Sequence, residues 1–149
     1  MDIEETIKEF LDFVLKEDAA VDDLGELMAA LDKLAYSVNN VKYEFDETEY
    51  PEAPERDYQL IREKAQKRFP DLGFYNMHQE ITEKVKQGEI IVGDALDDIS
   101  DIVGDLRDVL WCFENTSKND ALWHYQNSFR SHWGRHLREL QLYLHDKWW

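Results

Sequence analysis

At 149 residues the chain is one domain of ordinary size, and its formal net charge of −16 excludes binding to a nucleic-acid backbone, which needs clustered Lys and Arg. Hydrophobic residues make up 43% and aromatic residues 13% of the chain, too much for disorder. With 6 Gly and 3 Pro there is little material for the turns of an all-β fold.

The first five residues, Met1-Asp2-Ile3-Glu4-Glu5, show neither the basic nor the apolar region of a secretory signal. No uncharged stretch approaches the ~20 residues needed to cross a bilayer. A cytoplasmic protein without a membrane association is expected. Helical spacing of Ile7, Phe10, Leu11, Val14 and Leu15 predicts a first helix over residues 3–16. Leu24, Leu27, Leu31, Leu34 and Ala35 predict a second over 21–38, ended by Asn39-Asn40. Residues 43–56, acidic, aromatic and broken by Pro51 and Pro54, read as a long loop, with mobility the simpler reading and a functional role the other. A third helix is expected over 57–68, stopped at Pro70-Asp71. Residues 72–93 read as irregular with a short helix near 79–87, punctuated by Gly88 and Gly93.

Two long helices follow. Leu96, Ile99, Val103, Leu106, Leu110 and Phe113 form an apolar stripe over 94–114. Cys112, the single cysteine, excludes an internal disulfide and a cluster of thiolates around a metal, and reads as a buried, inert thiol. The last helix, from 119 or 120 to 145, has the core line Leu122, Phe129, Trp133, Leu137, Leu140 and Leu144. The short connection makes these two antiparallel neighbours. The expected architecture is therefore a single all-α domain over 1–149, a compact bundle of five to six helices with a long acidic loop between the second and third.

Charge is unevenly spread. Residues 1–114 carry net −18, whereas 115–149 carry net +2 and four of the five histidines. Asp94, Asp98, Asp101, Asp105 and Asp108 fall together opposite the apolar stripe, as a solvated face would. Capping and the helix dipole explain Asp94, Asp97 and Asp98. They do not explain Asp101, Asp105 and Asp108, which repel one another and sit where Glu would be the better helix former. Arg107, Arg130, Arg135 and Arg138 are the expected ion-pair partners. A divalent cation is the alternative: Asp98, Asp101 and Asp105 with His132 and His136 are candidate metal ligands, the two histidines being four residues apart on one helical face. His124 and His145 fall on other faces and read as surface residues. Gly134, costing about 1 kcal/mol mid-helix relative to Ala, implies close approach by a neighbour. Trp148-Trp149 caps the bundle or projects as a sticky patch.

Asp97-Asp98-Ile99-Ser100-Asp101 matches the Asp-Asp-x-x-Asp pattern of helical prenyl-diphosphate enzymes, but those chains are much longer and need a second acidic motif that is missing here. Glu80-x-x-Glu83 with Asp98-x-x-Asp101 is a fainter likeness to all-α nucleotide pyrophosphohydrolases, interrupted by Gly88 and Gly93. The stretch from Val92-Gly93-Asp94-Ala95-Leu96-Asp97-Asp98 to Asp105-Leu106, then Ala121-Leu122-Trp123 and Ser128-Phe129-Arg130-Ser131-His132-Trp133-Gly134-Arg135-His136, resembles an uncharacterised bacterial family, domain-of-unknown-function family 5063. The likeness is strongest over 90–145 and departs from the usual pattern at Val103-Gly104 and at Tyr125. It implies that the aspartate and histidine helices belong together, and it implies no activity.

Three functions stay open on these grounds. The first is a non-enzymatic adaptor or immunity-type protein whose acidic surface meets a basic partner. The second is a metal-dependent enzyme on a phosphate-bearing small molecule, using Asp98, Asp101, Asp105, His132 and His136. The third is a small-anion module built on Arg130, Arg135, Arg138 and the histidines. The candidate functional cluster common to them is Asp98, Asp101, Asp105, Asp108, Arg130, His132, Arg135 and His136.

Overall fold

The computed structural model describes residues 1–17 and 24–148. Helix α1 (Ile3–Val14) is capped by the Asp2 carboxylate, which accepts from the Glu5 N–H, and it buries Ile7, Phe10, Leu11 and Val14. Helix α2 (Leu24–Val38) turns Leu27, Leu31 and Leu34 onto the same core; the start expected at residue 21 lies outside the described residues. Helix α3 (Tyr58–Arg68) is capped by Asp57 and contributes Ile61 and Ala65. Its Arg68 is buried, donates to the Phe13 carbonyl, and lies over the Phe13 and Phe69 rings, so a carbonyl and two π faces are among the groups that meet its charge.

The segment between α2 and α3 has no regular structure beyond the turn at Asn39-Asn40, but the mobility expected of residues 43–56 gives way to a pinned strap. Asn119 accepts from the Glu44 N–H at 3.2 Å. Asp46 accepts from Ser117 at 2.5 Å and from Tyr50 at 2.8 Å. These bonds hold the Asp46 carboxyl well below the usual range, with the Ser117 contact the largest cause.

Residues 72–93 depart most from expectation. In place of a short helix near 79–87 there is an antiparallel hairpin, β1 (Phe74–His78) with β2 (Ile90–Asp94), joined by turns and bends. Lys84 and Lys86 take positive φ within that connection, which breaks any helix there. Ile90-Ile91-Val92 supply the β-branched run. Gly93 pairs with Tyr75, and a Cβ at Gly93 would overlap the Tyr75 ring. The glycine is there for close packing, not punctuation. One hairpin face turns Tyr75 and Ile91 inward, and the other leaves Phe74, Ile90 and Val92 exposed.

Helix α4 (Ala95–Asn115) packs against α1, α3 and the two C-terminal helices. Residues 102–106 are buried without interruption. The solvated face that the stripe could have formed is not what it forms at its centre: Asp98 is 4% and Asp105 8% exposed, in keeping with the expectation that something compensates Asp101, Asp105 and Asp108.

The last helix is not continuous. Helix α5 (Lys118–Ser128), capped by Ser117, passes into a π-helical turn over Phe129–Trp133 before α6 (Gly134–Trp148). A π turn inserts one residue into the α register. It shifts the face of everything upstream by about 100° relative to α6. Tyr125, which an unbroken helix would place on the flank of the core line, is thereby fully buried, its ring centroid 5.3 Å from that of Trp133 and its hydroxyl 2.7 Å from Ser37. Phe129, expected in the core line, is only partly buried. Trp148 is half-exposed and lies against Gly25; Trp149 lies outside the described residues. Among the described residues, no helix is long and apolar enough to cross a membrane.

Candidate functional site

Antiparallel packing of α4 on the π turn and α6 sets three aspartates against two histidines. The His132 Nδ1 lies 2.6 Å from Asp105 Oδ2, and the His136 Nδ1 lies 2.8 Å from Asp98 Oδ1. A carboxylate can only accept, so each Nδ1 carries the proton and each Nε2 is left as the free nitrogen of the neutral ring. Both Nε2 atoms turn to Asp101: His136 Nε2 is 3.3 Å from Oδ2 and His132 Nε2 is 3.8 Å from Oδ1. The ligand atoms of Asp101, His132 and His136 all lie within 4.8 Å of one another.

The two carboxylates that face the Nδ1 atoms are themselves held. Tyr75, delivered by the hairpin, donates to Asp98 at 2.5 Å, and burial followed by that bond pushes the phenol far above its ordinary range. Tyr58 donates to Asp97. Arg56, at the end of the strap, donates from both terminal nitrogens to Asp105 Oδ1 at 3.1 Å and also reaches Asp108. Arg62 of α3 pairs with Asp94 at 2.7 Å and with Asp97 at 3.5 Å. Among the described residues, the cations that compensate the stripe are thus Arg56 and Arg62, not the expected Arg107, Arg130, Arg135 and Arg138. Arg130 is exposed. Arg135 donates to the His78 and Gln79 carbonyls and pairs with Glu139, and Arg138 donates to Gln141. The candidate cluster therefore divides: Asp98, Asp101, Asp105, His132 and His136 come together, Asp108 belongs to Arg56, and Arg135 lines the cleft beside Asp98, His132 and His136 without pairing with the stripe.

Sequence reasoning missed Arg56, Arg62, Tyr58 and Tyr75. One signal was present. Gly104 sits mid-helix beside Asp105, and a Cβ there would overlap the Arg56 guanidinium and stand 2.9 Å from its Cδ, so the glycine opens the path by which the arginine reaches the aspartates. Arg56→Ala is expected to leave Asp105 buried with one partner fewer. The pair is neither fully buried nor exposed, so the loss should be about 1–2 kcal/mol, between the surface and interior limits. Denaturant unfolding reads it, and an unchanged midpoint would contradict the compensating role.

Titration follows the geometry. The hydrogen bond to Asp98, aided by the charge of Asp101, outweighs burial and raises His136 above its ordinary 6.5. Desolvation raises Asp101 above 3.8, against the opposing pull of His136 and His132. A cleft of about 360 Å³ opens on one side of the cluster, lined among others by Met77, Gly93, Asp98, His132 and His136.

A mostly helical bundle, then, carries a histidine–carboxylate centre between α4 and the helix that follows it. The chain belongs to the family described as a domain of unknown function, DUF5063, whose model matches residues 1–147. Among solved structures it is similar to the protein BF1032 from Bacteroides fragilis, at 20% identity and a TM-score of 0.70, covering 99% of this chain and 90% of that one; this likeness concerns the fold. No curated protein matches the sequence.

Proposed function

We propose that the protein is a transition-metal centre, with Asp101, His132 and His136 as ligands and an open coordination position toward the cleft. One observation carries this reading: both Nε2 atoms converge on one carboxylate while each Nδ1 is fixed by a carboxylate of its own. A tetrahedral ion with bonds of 2.0–2.1 Å separates its ligand atoms by about 3.4 Å, and the separations to Asp101 are 3.3 and 3.8 Å. Carboxylates on the far nitrogens set the tautomer and raise the basicity of metal-binding histidines, which is the part Asp98 and Asp105 take. Two imidazoles and one carboxylate suit zinc, iron or manganese better than magnesium or calcium. Such an ion, open on one side, would polarise a bound oxygen or activate water, the chemistry of the metal-dependent enzyme considered from the sequence.

The other readings are less well supported. An acidic adaptor keeps exposed carboxylates such as Glu5, Glu9, Glu47 and Glu49, but it gives no role to Asp98, Asp101 and Asp105, which are turned inward. An anion module would rest on the exposed Arg130, because Arg135 donates to backbone carbonyls and pairs with Glu139 and Arg138 donates to Gln141.

Elemental analysis of protein purified without chelator, with thermal unfolding before and after adding zinc, manganese, iron(II) or magnesium, tests the proposal. Near-stoichiometric transition metal and a melting temperature raised by the transition ions alone are expected. Absence of metal together with an unchanged melting temperature for every ion would overturn it.

The pH dependence has a fixed sign. His136 and Asp101 are both raised in the fold, so at these two groups the metal-free protein binds more protons folded than unfolded. The Asp101 contribution declines as pH rises through its raised value. His136 adds stability that is fully present below about 6.5 and is lost as pH climbs through its raised value. Metal must displace the His136 proton, so its affinity rises with pH over the same interval. Melting curves of chelated and loaded protein on either side of neutrality should diverge as pH increases; parallel curves would contradict the assignment.

A further inference from the structure

We propose a second metal site, of mixed sulfur, nitrogen and oxygen donors, formed by Cys112, Asp120 and His124 for a zinc-like divalent cation. Cys112 lies on the last turns of α4, and Asp120 and His124 lie one turn apart on α5. The Cys112 Sγ, an Asp120 carboxylate oxygen and a His124 ring nitrogen lie within 4.8 Å of one another. His124 Nε2 stands 3.7 Å from Asp120 Oδ1, a separation close to that of two ligands on one ion and too long for a hydrogen bond.

A second, independent observation points to a ligand. Asp120 Oδ2 has almost no solvent exposure and no hydrogen-bond partner, and among the described residues it is the one side-chain oxygen or nitrogen in that condition. A buried carboxylate oxygen without a partner is costly unless something is missing from beside it. The same three residues line a cavity of about 430 Å³ whose other walls are the strap residues Tyr50–Ala53 and, on α4, Asp105, Asp108 and Val109. Arg56 compensates Asp105 and Asp108 on this wall, which leaves Glu52 and Asp120 as the lining carboxylates without a lysine or arginine partner among the described residues, and a cation is the species they favour.

One cysteine excludes a cluster of thiolates, but not a set in which a single thiolate joins a histidine and a carboxylate. Cys112 and Asp101 are eleven residues apart on one helix, roughly 16 Å at 1.5 Å per residue, so this is a separate centre and not the second half of a two-metal site. Binding would release the thiol proton to solvent and leave sulfur, imidazole and carboxylate on the ion, with a fourth position facing the cavity.

Cobalt(II) separates the two sites, because only this one contains sulfur. Chelator-treated, reduced protein titrated with cobalt(II) without oxygen is expected to develop a near-ultraviolet thiolate-to-cobalt charge-transfer band, saturating by two equivalents in the parent and at one equivalent when the histidine–aspartate site is removed. The band should vanish in Cys112→Ser and fall at least severalfold in His124→Ala and Asp120→Asn. It should persist in the His132→Ala/His136→Ala double variant. His124 is half-exposed, so its substitution keeps the test valid should Cys112→Ser fail to fold. No band at saturating cobalt, or a band indifferent to His124 and Asp120, overturns the proposal and leaves the histidine–aspartate site between α4 and α6 unaffected.

Discussion

Alanine at His132 or at His136 is expected to remove high-affinity metal binding at the Asp101 centre while leaving the protein folded. Structural zinc contributes roughly 10–16 kcal/mol over four ligands, so one ligand accounts for roughly 3 kcal/mol, about a hundredfold in affinity. Both rings lie at the edge of the cluster, His132 45% and His136 27% exposed at the side chain, so truncation opens no large cavity. The supporting carboxylates should follow at one remove. Asp98→Asn and Asp105→Asn keep the shape and still accept from Nδ1, yet give up the charge that makes the ring a better donor, and a loss of about 10–100-fold is expected. Competition titration against a chromophoric chelator measures all four variants. Equal affinities across the series would show that the ion sits elsewhere.

Gly134→Ala is expected to destabilise the protein, against helix propensity, which favours Ala over Gly by about 1 kcal/mol. The Gly134 N–H donates to the Phe129 carbonyl five residues back, the bond that defines the π turn. A Cβ at this position would overlap that carbonyl oxygen and approach the Phe129 ring at 2.9 and 3.0 Å. Backbone on one side and a ring packed edge-on against Trp133 on the other leave little room to yield. Overpacking of this kind costs roughly 1–3 kcal/mol, which for a domain of this size lowers the melting temperature by about 2–4 °C per kcal/mol.

The consequence reaches the site. If the turn reverts to α register, His132 rotates relative to His136 and Tyr125 leaves the core, so metal-induced stabilisation should fall with both histidines still present. Thermal unfolding with and without metal reads both effects. A variant more stable than the parent would show that the π turn is dispensable.

Local chemistry made much of the helical frame readable in advance. The apolar spacing of α1, α2 and α4 and the cap at Asp94 follow from residues within a few turns of one another, and a short connection pairs the aspartate helix with the histidine helix. The hairpin escaped because Gly88 and Gly93 were read as breakers, although Ile90-Ile91-Val92 carries the strand signal and Gly93 is occupied by the Tyr75 ring.

The aspartate stripe is legible in the sequence as an oddity that needs compensation, while the arginines that supply it are not. Asp98, Asp101, Asp105 and Asp108 repeat at helical spacing, and the sequence by itself determined that they share a face and that something must compensate them. Which face that is, and what compensates it, only the tertiary structure decided. Arg56 reaches Asp105 across 49 positions of chain and Tyr75 reaches Asp98 across 23, and periodicity within one helix carries no information about such partners. The π turn is of the same kind. Its extra residue is stabilised by where Tyr125 and Trp133 must pack, so it exists only once α4 and α2 are in place to receive them.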